Sequence, residues 1–177
     1  PSAEHGPGEV IWLPWETVPQ VPKTYRYWAV GNWDKTKYAG DILCGLNENG
    51  VGMCCNAIWT KDEPLPASRG LKRYSIRQLI LDRATSARHA VEIVGEMVEK
   101  YGQGGTDVMD IAYCVADQNE AWVVEASARM WVAKRVPDDG FLVWANEVVI
   151  QDDWDLACPG ILALSKKHGK RVNFKAT

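Results

Sequence analysis

Phenylalanine, histidine and long apolar runs are scarce in this chain, and each scarcity removes a class of protein. Two phenylalanines stand against nine tryptophans in 177 residues. Tryptophan suits sites that are apolar on one side and hydrogen-bonded on the other, so the excess points either to a rigid pocket or large interface or to a Trp-rich core. His5, His89 and His168 lie far apart, and no cysteine or histidine pair has zinc-ligand spacing, which argues against a metal site. No apolar run approaches the eighteen or so residues that a membrane span needs. The net charge is −3, and the basic doublets Lys166-Lys167 and Lys170-Arg171 do not make the electrostatic stripe of a nucleic-acid binder. The five cysteines, Cys44, Cys54, Cys55, Cys114 and Cys158, are odd in number and irregularly spaced. That pattern reads as reduced, buried thiols of a cytoplasmic protein and not as a disulfide framework.

The hydrophobic content of 46% is that of an ordinary folded domain, and the chain is long enough for one, spanning residues 1–177. Residues 10–13 are a short apolar run, followed by Pro14, Pro19 and Pro22. Residues 24–30 alternate as a strand, 31–37 read as a polar turn, and 42–46 resume as a strand. Asn47-Glu48-Asn49-Gly50 ends on Asn-Gly, so residues 42–46 and 51–58 are expected to pair antiparallel. After a polar connection at 61–70 the period changes. Tyr74, Ile76, Leu79, Ile80 and Leu81 make one apolar helix, and Val91, Val94, Met97, Val98 and Tyr101 fall on one face of a second. Thr85 or Ser86 is its expected N-cap and Gly102 its stop. The glycines at 102, 104 and 105 follow a helix and precede no Lys-Ser/Thr pair, so they are an exit loop and not a phosphate loop. Residues 111–117, 121–126, 130–136 and 141–149 read as a four-strand meander, and 161–168 as a short helix. Pattern alone gives the class α+β.

Residues 120–146 narrow this further. They contain Trp122-Val123-Val124-Glu125, a Trp131-Val132-Ala133 strand, Arg135-Val136-Pro137-Asp138-Asp139 and the ending Ala145-Asn146. This order resembles the dipeptidase family of cysteine-type N-terminal nucleophile hydrolases and their secernin relatives. Three more segments agree in sequence order: residues 18–22 with Thr24-Tyr25, residues 45–51 (Gly-Leu-Asn-Glu-Asn-Gly-Val), and residues 81–88 leading to Glu99-Lys100-Tyr101-Gly102. The resemblance implies a four-layer αββα sandwich, two antiparallel sheets face to face between helical layers. It also implies a nucleophile at the first residue of the mature chain, with the free α-amine as its base. Pro1 offers neither thiol nor hydroxyl. The expectation is therefore an incomplete domain, an internal portion of a longer amidohydrolase that is inactive alone and completed by the remainder of the same polypeptide or by a homo-oligomer. Its substrate would be a small peptide or amide, with no cofactor. The alternative is a secernin-like, non-catalytic interaction protein, for which Trp59-Thr60-Lys61 and the 101–105 loop speak.

Attack on an amide carbonyl produces an oxyanion that fixed donors must meet. By position, the resemblance assigns that task to the backbone N–H of Asn56 and the side-chain amide of Asn146. Both are polar residues amid apolar strand sequence, and each has the alternative of satisfying neighbouring backbone. Glu125 is expected either to face solvent, as strand carboxylates usually do, or to point inward and bind a substrate amine. Trp131 and Trp59 are candidate pocket walls, and Arg129 a candidate partner for a substrate carboxylate. The internal cysteines make poor nucleophiles, since none has an activating neighbour in sequence.

Overall fold

Asn49-Gly50 closes a tight turn in which Gly50 adopts a φ of 79°, a conformation that strains any side chain. The computed structural model describes residues 2–32, 41–61, 65–66, 69–104 and 110–172. Short strands come first: β1 (Ala3–Glu4), β2 (Val10–Trp12), β3 (Thr17–Pro19) and β4 (Lys23–Thr24), paired β1 with β4 and β2 with β3. Then follow β5 (Tyr27–Asn32), β6 (Asp41–Asn47) and β7 (Gly52–Ile58), helices α1 (Arg73–Arg83) and α2 (Ala87–Lys100), strands β8 (Asp110–Ala116), β9 (Ala121–Ser127), β10 (Met130–Arg135) and β11 (Leu156–Ala157), and helix α3 (Pro159–His168). The expected hairpin, helix pair and three of the meander strands are all present. The turn expected at 31–37 and much of the 61–70 connection lie outside the described residues.

Front and rear strands do not form two sheets. β7 pairs with β8 from Gly52↔Ala116 to Ile58↔Asp110, so β5 to β11 make one seven-stranded antiparallel sheet in sequence order. The helical hairpin is the cause: two antiparallel helices return the chain to the strand edge it left. What the described residues build is thus one sheet of a sandwich with its helical layer.

Hydrogen bonds dock that layer. Asn47 donates to the Leu81 and Ala84 carbonyls at 3.2 and 2.8 Å, while its side-chain oxygen accepts from Asn49 and Val51 at 3.0 Å. One side chain thereby closes the β6–β7 turn and satisfies the C-terminus of α1. In the same turn between the helices, the Ser86 hydroxyl caps α2 by accepting from the His89 N–H, and Asp117 accepts from the Ala87 N–H at 2.7 Å. The main core lies between these helices and the sheet and includes Ile76, Leu79, Ile80, Val91, Val94, Val98, Tyr113 and Val124. A smaller core on the opposite face joins Val123 and Val132 to Val148, Ile150, Trp154 and Ile161.

Residues 141–150 contain no strand, contrary to expectation. The free edge of β10 is occupied by β11, through Val132↔Ala157 and Ala133↔Leu156, so the segment has no ladder to join. It crosses the lower face of the sheet instead, burying Val148 and Ile150 while Phe141 and Val143 remain 88% and 81% exposed. The cysteines also differ from expectation. All five are free, but only Cys158 is buried; Cys54 is exposed and the rest are half-buried.

Candidate active site

Side chains alternate between the faces of a strand, so β7 directs Cys54, Asn56 and Ile58 away from the helices, and β9 does the same with Val123, Glu125 and Ser127. Register aligns them. Asn56 stands opposite Ala112 and Ala112 opposite Glu125, giving one row across three strands with a small residue in the middle. The 141–150 segment passes over this row and is tied to both ends. At one end, the Asn56 amide meets the Trp144 and Ala145 carbonyls at 3.5 and 3.4 Å. Turned over, the same amide accepts from the Trp144 indole N–H at 2.5 Å and donates to the Cys55 carbonyl at 3.1 Å, a better-satisfied arrangement with the same segment.

At the other end Glu125 is completely buried, which corrects the expectation of a solvent-facing carboxylate. Its Oε1 accepts from the Val149 and Ile150 N–H groups at 2.5 and 3.2 Å. Central strands buried on both faces lose the alternating pattern, and β9 is buried from Trp122 to Ser127. That near-continuous apolar run was the signal in the sequence.

Asn146 lies between the two anchors. It is exposed and in a bend, not in the apolar strand end that the sequence suggested, so its amide is not committed to the core. The paired register of β6 and β7 stops at Cys44↔Cys54, two residues short of Asn56. Near the Glu125 end, the Thr60 hydroxyl donates to Asp110 at 2.7 Å and lies 3.0 Å from the Ser127 hydroxyl.

The remaining candidates are elsewhere. Trp131 lies over α2, its ring against Gly95 and its indole N–H donating to Glu99 at 2.8 Å. Arg129 donates to the Glu99 and Lys100 carbonyls at 3.0 and 2.8 Å, completing the C-terminus of α2. Both therefore serve the helical face and do not join Asn56 and Glu125. Trp59 follows β7 and is 58% exposed. A cavity of about 160 Å³ lies at the far edge, lined by Val123, Lys134, Arg135, Phe141, Leu142 and Ile150 among others, and none of the six candidates borders it. Among the described residues, no cluster of three or more His, Cys, Asp or Glu could hold a metal, and no helix is long and apolar enough to cross a membrane.

The internal thiols are not all ordinary. The Cys54 thiol is hydrogen-bonded to Cys114, which brings it down to about 7 against the desolvation that opposes this. The same contact, with burial, pushes Cys114 up. Sequence neighbours gave no hint of this, but the hairpin register would have placed Cys44 opposite Cys54.

An antiparallel sheet with a two-helix layer on one face and an inner face otherwise open in part is the half-sandwich of the N-terminal nucleophile hydrolases. A variant of conjugated bile acid hydrolase from Clostridium perfringens shares this fold, with a TM-score of 0.51 at 13% identity, over 86% of this chain and 44% of that one. The model of peptidase family C69 matches residues 16–165, and the chain belongs to that family. It is 32% identical to a probable dipeptidase of Latilactobacillus sakei over 142 residues, 77% of this chain and 29% of that protein. It is 29% identical to a probable dipeptidase of Salmonella dublin over 164 residues, 84% of this chain and 36% of that protein. The chain thus spans about a third of the length of these curated relatives.

Proposed function

We propose that these residues are the inner portion of a dipeptidase that cleaves dipeptides or small amides through an N-terminal cysteine outside the present sequence. Asn56, through its backbone N–H, and Asn146, through its side chain, would receive the oxyanion. The observation that carries the reading is the convergence of two residues 90 positions apart in sequence: in either orientation of its amide, Asn56 meets Trp144, two residues before Asn146. That arrangement sets an uncommitted amide beside the strand whose ladder to β6 has just ended. Glu125 supports this site from beneath. Its carboxylate holds the far end of the segment, a role that competes with binding a substrate amine directly.

The rest of the inner face fits an incomplete domain. Trp28 is 69% and Leu46 52% exposed on the same side as Asn56, a surface that a second sheet from the same polypeptide would cover. The test uses the longer polypeptide bearing this sequence and a peptide-like electrophile whose labelling is competed by dipeptides. Label on a processed N-terminal cysteine is the expected result. Competed label on Cys54, Cys55 or Cys114 would overturn the assignment, and a folded protein with neither label nor turnover would favour an interaction role.

A further inference from the structure

Three thiols stand in one row on the face opposite the helices. Cys44 is registered with Cys54 across β6 and β7, and Cys54 with Cys114 across β7 and β8. Directly opposed residues in antiparallel strands have Cα atoms about 4.5–5.5 Å apart, inside the range of about 4.4–6.8 Å that a disulfide spans. All three are free, with Cys54 exposed and its neighbours half-buried. Of the two flanking thiols, Cys114 is the one that hydrogen-bonds to Cys54. The other side chains around Cys54 on this face, Leu46, Ala112, Ala116 and Asn56, carry no charge. The thiol pair itself therefore sets the reactivity.

We propose that Cys54 and Cys114 form a redox-modifiable dithiol whose oxidant is a small disulfide of the glutathione type. The Cys54 thiolate attacks one sulfur of the oxidant, forming a mixed disulfide and expelling one thiolate. Cys114 then loses its proton to solvent and attacks the Cys54 Sγ. The new bond joins the two strands, and the second small thiolate leaves. In balance, two protein thiols and one disulfide become one protein disulfide and two small thiols. Cys54 makes the first attack because it is the more exposed and the more easily deprotonated of the two. The proposal does not depend on peptidase activity. It does place a covalent change two residues from Asn56, on the same face of the same strand.

The native longer polypeptide bearing this sequence is incubated with glutathione disulfide, quenched with an alkylating reagent, digested and mapped by mass over these five cysteines. The expected product is a single Cys54–Cys114 bridge, reversed by reduced glutathione. Cys114→Ser should stop at a glutathione adduct on Cys54, and Cys54→Ser should leave Cys114 unmodified. A bridge between Cys44 and Cys54, equal labelling of all five cysteines, or no modification of Cys54 under conditions that oxidise a model dithiol would each overturn the proposal. The wild-type map alone discriminates these outcomes, so the result stands even if a variant folds poorly.

Discussion

Replacing Glu125 with alanine should release the 141–150 segment more than it weakens the sheet beneath. The carboxylate is fully buried and accepts two backbone N–H groups, from Val149 and Ile150. A net hydrogen bond contributes about 0.5–1.5 kcal/mol, and a buried donor left without a partner costs about 1–3 kcal/mol. Ile150 is buried and gains no water when the carboxylate goes, whereas Val149 is half-buried and recovers part of its hydration. The local loss is therefore about 2–4 kcal/mol. Removing a buried carboxylate also removes its desolvation cost, which reduces the net effect on global unfolding to about 1–2 kcal/mol.

Amide hydrogen exchange separates the two. Every 1.4 kcal/mol is a factor of about ten, so Val149 and Ile150 should exchange roughly 30-fold faster or more, while amides of the β8–β9 ladder change only with global stability. Glu125→Gln, which keeps an acceptor oxygen, should fall between. Val124→Ala, a change on the same strand but in the main core under the helices, should lower global stability without singling out Val149 and Ile150. Unchanged exchange at those two amides in Glu125→Ala would refute the tether.

Four further outcomes follow. If the longer polypeptide bearing this sequence has the proposed dipeptidase activity, Asn146→Ala should lower its kcat by about 10²–10³ with little effect on folding, because the amide would act on charge present only in the transition state; an unchanged kcat returns Asn146 to an ordinary surface position. Ser86→Ala should destabilise by about 1 kcal/mol in a denaturant titration, through loss of the α2 cap. Gly45→Ala should cost more, about 1–3 kcal/mol, because a Cβ there would lie 2.6 Å from Leu81 and 2.8 Å from the Trp28 carbonyl. Alkylation of Cys54 should rise with pH about a midpoint near 7, two below the ordinary thiol value of 9, since the thiolate is the reactive form and is suppressed below that midpoint; a midpoint near 9 would show that the Cys114 contact is not made.

Local chemistry was legible where it is decided locally. Asn49-Gly50, Ser86, Gly102 and the helical spacing of Val91 to Val98 each specify a turn, cap or face through interactions within a few residues. The joining of the strands into one sheet was not, because it depends on how far the α1–α2 hairpin carries the chain before β8 begins. The failure at 141–150 has the same origin. Its apolar residues suit a strand, but whether a strand forms depends on a free edge, and β11, which begins six residues past the end of the segment, takes that edge.

Glu125 shows most directly how that affects the site. In sequence it is a carboxylate in a strand, and exposure is the ordinary state of such a group. In the fold its strand is central, one face is closed by α2, and the other is closed by a segment that cannot pair through its own backbone. A segment without a ladder still carries N–H groups, and those that become buried need acceptors. Glu125 supplies one acceptor for two of them, and Asn56 meets the same segment at its other end. The residues most readily taken for substrate ligands are therefore what turn residues 144–150 from a surface loop into a defined edge. If Asn146 acts on substrate, its precision comes from side chains that need not touch substrate at all.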